Sequence, residues 1–558
     1  MKHITTIIAT IIISCLHCFA QSDAVKEAAK SVFKLTTYNA DGTVLSESNG
    51  VFTSQDGTAI SSLKPFIGAA KAIITDTKGK QAEVTRMLGA NELYDMAKFK
   101  VDREKTTPIT VSTVPSKNGD AVWLITYDDK GTAQPIGATV KSVETFMDKY
   151  SYYIIMAQAP DKSEACPFVN DNGQIIGLMK RSNSSLDIHA VDANFAMSLA
   201  TTGLSLNDPV LRQIGIAPAL PNDKDQALLT LIMAEQGNDS TKLTAIVNDF
   251  LAKYPDLTDG YTAKARMQVN KNDFKGANET MEEAIKRASS KDMAHAEYGR
   301  LIYNNLVNNA NQNIPEWTLD KAEEETDKAF AINPLPTYKH QKAQITFAKG
   351  KYQEAYDVFT ELLNSQMRNP ELFYEASQCK VMLKAPESEI IALLDSAINN
   401  TDSLRMNEAA PYFLARAEAY NALDSFRQAV FDYTRYEILV GHPLEAQFYY
   451  IRSKAETKAK LYKQALGDMA AAIIRAPQEP TYYAEMASLQ LRVNLHDDAI
   501  KTAQRCIELA PEYSDGYLIL GLAQISKGDK NTGMANLDKA KQLGNPQAQP
   551  LIDKYSNK

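Results

Sequence analysis

The chain has 558 residues, 44% of them hydrophobic and 23% charged, and a formal net charge of -8. That length exceeds what one hydrophobic core organises and predicts roughly three domains' worth of material, while the composition excludes an intrinsically disordered chain. The acidic balance, with no clustered basic stretch, argues against a nucleic-acid partner, because phosphate binding needs a local excess of Lys and Arg.

Residues 1–20 read as a secretory signal peptide. Lys2 is basic, Ile4 to Ile13 is apolar but too short to span a bilayer, and Ala20 is a small residue at the expected cut. The expectation is an exported protein, periplasmic or secreted in a Gram-negative bacterium. Cys15 offers a second reading, the lipid-bearing first residue of a lipoprotein, but Ile12 stands where a leucine is expected three residues earlier. No other apolar run is long enough for a transmembrane helix. Beyond the leader stand Cys166, Cys379 and Cys506, an odd and widely spaced set that predicts buried thiols and stabilisation by packing instead of disulfides.

Residues 21–202 carry strand signals. Ser31 to Tyr38 alternates and ends in the turn sequence Asn39-Ala40-Asp41-Gly42; Val51 to Thr53 and Thr58 to Leu63 flank Asp56-Gly57. Further runs are Lys71 to Thr75, Ala121 to Thr126, Ile136 to Val143, Tyr152 to Met156, Gln174 to Met179 and Ile188 to Val191. Many short strands at close spacing predict an antiparallel barrel or sandwich. Residues 203–225, richer in proline and polar side chains, read as a linker. From 226 to 558 the period turns helical. Tyr483, Ala487, Ala499 and Pro511 recur 34 residues later as Tyr517, Gly521, Gly533 and Asn545, and 34 residues earlier as Tyr449, Ser453, Ala465 and Pro477. Small residues recur because two helices of a hairpin approach closely only where neither carries bulk. Earlier copies run through Asn272 to Ala277, Gly350 to Ala355 and Ser425 to Ala429, giving about nine units with an insertion near Asn304 to Trp317. The pattern resembles tetratricopeptide repeats and implies an α-solenoid.

The stretch Lys162-Ser163-Glu164-Ala165-Cys166-Pro167-Phe168-Val169-Asn170, continuing through Gly173 to Ile176-Gly177-Leu178, resembles the nucleophile segment of trypsin-like serine proteases of the high-temperature-requirement class, G-N-S-G-G-P-L-V-N. Three further stretches resemble that family in the same order: Gly50-Val51-Phe52 with Asp56 to Ser62, Asn91 to Val101, and Phe195-Ala196-Met197. The resemblance implies a double β-barrel, so the fold class is an all-β trypsin-like domain followed by an all-α repeat solenoid.

The chemistry departs from the family. In register, the base position holds Lys64, the orienting position Asp95 and the nucleophile position Glu164, so only Asp95 is retained. The sole histidine between Gln21 and Pro221 is His189, which follows the nucleophile loop. Ser163 is an alternative nucleophile with Lys64 as base, but an oxyanion hole needs backbone N–H groups turned inward by glycines, and Ala165 and Cys166 are expected to resist that. Cys166 lies two residues late for a nucleophile and reads as an inert buried thiol. The expectation is a pseudoenzyme in which Lys64, Asp95 and Glu164 form a charge cluster, with no cofactor and no metal. The repeat array is then the working part. Its groove positions fall on His340 and Gln344 in one repeat and Tyr450 and Lys454 in another, against the alternative of a solvated helix face; its expected occupant is a protein or peptide, and its expected setting an envelope complex. The other open reading is a divergent serine endopeptidase whose array captures protein substrates.

Overall fold

The computed structural model describes residues 22–128, 131–182, 187–309 and 314–556. The signal peptide and Cys15 lie outside the described residues, and the insertion expected near Asn304 to Trp317 lies partly outside them. The chain divides into two compact units, residues up to Ala294 and residues from His295 onward.

The first unit opens with α1 (Asp23–Ala28), capped by the Ser22 hydroxyl, which accepts from the Val25 N–H. Among the described residues twelve strands follow: β1 (Val32–Tyr38), β2 (Val44–Phe52), β3 (Thr58–Ser61), β4 (Lys71–Asp76), β5 (Gln81–Asn91), β6 (Met96–Val101), β7 (Ala121–Tyr127), β8 (Ala133–Phe146), β9 (Tyr150–Met156), β10 (Pro167–Val169), β11 (Ile175–Arg181) and β12 (Ile188–Asp192). They close into two antiparallel barrels, β1-β2-β3-β6-β5-β4 and β10-β11-β12-β9-β8-β7. Strand β5 is missing from the expected runs because its pairing with β6 shifts register twice, between Val84 and Arg86 and between Met87 and Gly89, which breaks the alternation a sequence shows.

Period-two burial builds each core. Phe33, Leu35, Phe52, Phe66, Ile74 and Phe99 fill the first barrel, with Phe33 and Phe52 ring centroids 4.7 Å apart. Leu124, Val140, Tyr153, Phe168 and Ile176 fill the second. A third cluster joins residues of both barrels, with Val51, Ile60, Trp123, Val169 and Phe195, to Val25 of α1. Gly177, in the nucleophile-like motif, is required by proximity: a Cβ there would sit 2.5 Å from the Val191 carbonyl oxygen of the neighbouring strand.

Helix α2 (Ala193–Ser198) follows β12 and places Ala193, Phe195 and Ala196 in the third cluster. The segment 203–225 packs on the first one. Leu211, Ile214 and Ile216 join its core, and the Met87 N–H and carbonyl bond the Ala217 carbonyl (3.0 Å) and the Ala219 N–H (2.7 Å). The unit continues as α3 (Lys224–Gln236), α4 (Ser240–Lys253), α5 (Thr258–Asn270) and α6 (Phe274–Arg287), and Arg86 of β5 forks onto Asp249 of α4 at 2.6 and 2.9 Å.

Helix α7 (Lys291–Asn308) leads into the second unit: α8 (Leu319–Ile332), α9 (Pro336–Ala348), α10 (Tyr352–Leu363), α11 (Pro370–Met382), α12 (Glu387–Asn399), α13 (Ala410–Ala422), α14 (Phe426–Val440), α15 (Ala446–Lys458), α16 (Tyr462–Arg475), α17 (Pro480–Arg492), α18 (His496–Leu509), α19 (Ser514–Lys527), α20 (Lys530–Gln542) and α21 (Ala548–Ser556). Helix starts follow capping chemistry. The Asn369 side chain accepts from the Leu372 N–H with Pro370 at the first position, and Asp529 accepts from Thr532. Inside each pair the small residues meet. Ala487, Ala499 and Ala465 are fully buried, and a Cβ added to Gly521 would lie 2.7 Å from the Gly533 carbonyl, one added to Gly533 2.6 Å from that of Gly521.

That mutual approach gives the first prediction. Gly533→Val should destabilise by about 1–3 kcal/mol, because the new atoms meet both the Ile525 side chain at 2.5 Å and the Gly521 carbonyl at 2.6 Å, and the carbonyl cannot swing aside. Gly467, inside α16 with nothing within 4 Å of its missing Cβ, supplies the opposite case: Gly467→Ala should stabilise by about 0.5–1 kcal/mol. Urea unfolding of both variants checks the pair.

Candidate functional site

The loop before β10 and the turns after β3 and β5 bring Lys64, Asp95 and Glu164 to one place. Asp95 lies at the β5–β6 turn with φ 56°, and its side chain is 5% exposed. Its Oδ1 accepts from two backbone donors, the N–H of Leu63 (3.0 Å) and of Lys64 (2.8 Å). Its Oδ2 lies 4.0 Å from the Lys64 ammonium, whose side chain is 72% exposed, so this ion pair is long and well hydrated. The carboxylate therefore fastens the backbone after β3, and the Lys64 head group reaches solvent.

Glu164 closes the cluster. Its Oε2 accepts from the Arg181 N–H at 3.2 Å. Burial pushes its carboxyl above the ordinary carboxylate range; the Arg181 N–H opposes this, Asp95 adds to it, and the charges of Lys64 and Arg181 oppose it. The gap among Ser62, Tyr94, Asp95, Glu164, Met179 and Lys180 holds about 10 Å³, room for about one water. A larger cleft of about 290 Å³ runs alongside, lined by Lys34, Glu47, Asn49, Tyr127, Asp161 and Glu164 among others.

The loop itself is closed by hydrogen bonds. Asn49 donates both to the Lys162 carbonyl (2.8 Å) and to that of Glu164 (3.0 Å); Arg181 donates to the carbonyls of Ala159 (3.0 Å) and Pro160 (2.5 Å). The Ala165 N–H is taken by the Met179 carbonyl at 3.0 Å. Ala165 does not resist the glycine conformation as expected: it adopts φ 60°, a strain of about 1–2 kcal/mol held by the surrounding bonds. The Ser163 residue is 1% exposed, out of a substrate's reach. Cys166 is fully buried, and burial pushes its thiol up to about 12, so it does not ionise near neutral pH. His189 lies on β12 with its ring 5.4 Å from Tyr152 and both ring nitrogens buried without a hydrogen-bond partner; it is not among the residues lining the Asp95–Glu164 gap.

In the array, His340 and Gln344 of α9 converge on one residue of α11. His340 Nε2 lies 2.6 Å from Glu375 Oε2, and Gln344 Nε2 donates to Glu375 Oε1 at 2.7 Å. Burial alone would lower the His340 imidazolium, but the hydrogen bond and charge of Glu375, with Glu371 nearby, hold it above its ordinary value. Tyr450 and Lys454 of α15 repeat the arrangement with Glu485 of α17, at 3.4 and 3.6 Å. Glu375 and Glu485 were not singled out from sequence. The signal that finds them is the spacing, since each stands 35 residues after its partner, His340 or Tyr450. The His340 and Glu375 side chains are each 16% exposed, whereas Lys454 is 52% exposed, and both pairs cross from one repeat to the next. Among the described residues no group of three or more His, Cys, Asp or Glu side chains could hold a metal ion, and no helix is long and apolar enough to cross a membrane.

No family model matches the chain. Over 88 residues, 16% of its length, it is 27% identical to the Hsp70-Hsp90 organizing protein of Triticum aestivum, and it spans 15% of that protein. Among solved structures, a protease from M. tuberculosis in its active form aligns at 18% identity and a TM-score of 0.29, covering 32% of this chain and 85% of that one. The serine endoprotease from Yersinia pestis aligns at 19% identity and a TM-score of 0.28, covering 34% of this chain and 65% of that one. The chain combines two closed six-stranded antiparallel barrels with an all-α region of successive helix pairs.

The His340–Glu375 pair carries a pH signature. A histidine raised by a partner adds stability that is fully present below its unfolded pKa, about 6.5, and is lost as pH rises through the folded value. Glu375→Gln removes the charge that raises it, so the His340 titration followed by NMR should move to lower pH, and the stability lost on the alkaline side of about pH 6.5 should shrink.

Proposed function

We propose that this chain is an exported protein–protein interaction scaffold: a trypsin-like double barrel without proteolytic chemistry, joined to a repeat array that holds a protein or peptide along its first-helix face. The carrying observation is how Asp95 is used. In a working triad the carboxylate orients a base; here its Oδ1 is engaged by two backbone N–H groups, the adjoining cation is the exposed Lys64, and the nucleophile slot holds a carboxyl group. A carboxyl above its ordinary pKa could serve as a general acid, but acyl transfer also needs inward donors for the oxyanion. The Ala165 N–H is already bonded within the loop. The array supports the binding half of the reading, because its groove-position side chains are held in place by the next repeat and so are preorganised for a ligand. The leader sequence supports export, and an envelope complex is the setting that follows from it.

The reading as a divergent endopeptidase requires Ser163 to be reachable, and its burial speaks against that. Incubating the purified protein with unfolded casein and a fluorophosphonate probe tests the choice. Neither cleavage nor labelling is expected; labelling at Ser163 that is abolished by Ser163→Ala would overturn the scaffold reading. A crosslinked pull-down from the native envelope should recover a protein partner, and its yield should fall when Tyr450 and Lys454 are both replaced by Ala.

A further inference from the structure

Two successive hairpins each carry one guanidinium between carboxylates. Arg416 of α13 forks onto Asp432 of α14 at 2.7 and 2.9 Å and reaches Asp395 of α12 at 2.6 Å. Arg452 of α15, the same position one repeat later, forks onto Asp468 of α16 at 2.6 and 2.9 Å and reaches Glu437 of α14 at 2.7 Å. In both copies one cation faces two carboxylates. The later copy adds a third. Glu456 follows Arg452 by one helical turn, is 4% exposed, and has its Oε2 buried without a hydrogen-bond partner. In the earlier copy the same position is Tyr420, which is neutral and lies under the Arg416 guanidinium at 5.8 Å.

The second cluster therefore has an acid in excess. The charged groups facing Glu456 are Arg452 on its own helix, Asp468 on α16 and Glu437 on α14. The other nearby charges are committed elsewhere. Arg475 of α16 stacks on the Tyr449 ring at 4.3 Å and bonds the Leu444 carbonyl, and Lys454 pairs with Glu485 of α17. A buried third carboxylate beside Asp468, with the one guanidinium already committed to two others, is satisfied only as the neutral acid. Burial first, and then the Asp468 charge, push the Glu456 carboxyl up to about 8, with Arg452 opposing.

We propose that Glu456 and Asp468 share one proton that latches α15 to α16, and that losing this proton loosens the hairpin carrying Tyr450 and Lys454. A carboxyl raised in the folded state adds stability that is full below its unfolded pKa, about 4.3, and declines as pH rises, being lost above the folded value. Hydrogen exchange of the full chain, corrected for intrinsic exchange, reads this locally. Protection of residues 446–475 should fall up to about tenfold per pH unit between pH 5 and 8, as expected for one proton released on opening. Residues 410–440, with Tyr420 at the equivalent position, should respond less, Glu418 and Asp432 being the carboxyls there that burial raises. Glu456→Gln should flatten the response of 446–475, and so should Glu456→Tyr, which installs the side chain the earlier copy carries and keeps the test open should the amide variant fold poorly. The proposal is overturned if 446–475 and 410–440 respond alike in the unmodified protein, or if a folded Glu456 variant keeps the full pH response.

Discussion

A buried backbone N–H or carbonyl must find a partner, and the loop 159–166 meets that requirement at its inner end, around Glu164 and Ala165, while its outer carbonyls are tied at the surface. Four of its carbonyls, at Ala159, Pro160, Lys162 and Glu164, are taken by two side chains, Arg181 and Asn49, while Met179 takes the Ala165 N–H. Asn49 belongs to the first barrel and the loop to the second, so this one amide also fixes β2 against the start of β10. A loop satisfied this way keeps its fold without the glycines that a nucleophile loop of this type carries. Ala165 in the left-handed region is the visible cost, and each bond around it contributes about 1 kcal/mol toward holding it.

Asp95 obeys the same rule. Its burial is tolerable because Oδ1 gathers two N–H donors from the strand-to-turn junction at Leu63 and Lys64. A carboxylate used this way has a structural reason to be there that is independent of any base. Retention of an acid at that position is accordingly weak support for chemistry, whereas the identities at 64 and 164 bear on it directly.

Much of the architecture was legible in the sequence because it rests on sterics that only particular residues satisfy. Gly177 beside Val191 and the Gly521–Gly533 crossing leave no room for a Cβ, so they stand out at fixed spacing. The reading fails where the constraint has no residue-type signature. The hairpin turns place Asn272, Lys384, Asp424, Lys460 and Asn494 at positive φ, while Gly350 and Gly528 occupy the equivalent turns. Only the glycines and, less strongly, the asparagines advertise that geometry. Likewise the packing of Leu211, Ile214 and Ile216 into the first barrel hides inside a proline-rich segment, because three separated apolar residues without a period look like a linker. At the candidate site, Lys64, Asp95 and Glu164 could be named from register, but the donors that decide what Asp95 does are backbone groups, which sequence does not distinguish.

The array extends the same logic from sterics to charge. His340 and Gln344 grip Glu375, and Tyr450 and Lys454 meet Glu485, so the groove-position side chains of one repeat are positioned by a carboxylate of the next. Such links run from repeat to repeat, as the nearest-neighbour energetics of a solenoid requires. Each link is worth little at an exposed surface and more where it is half-buried, as at His340. This face of the array is thus tied by pairs, and the geometry at His340 and at Tyr450 depends on two neighbouring hairpins keeping their register. A local change in one hairpin therefore reaches the side chains of its neighbour through the shared carboxylate.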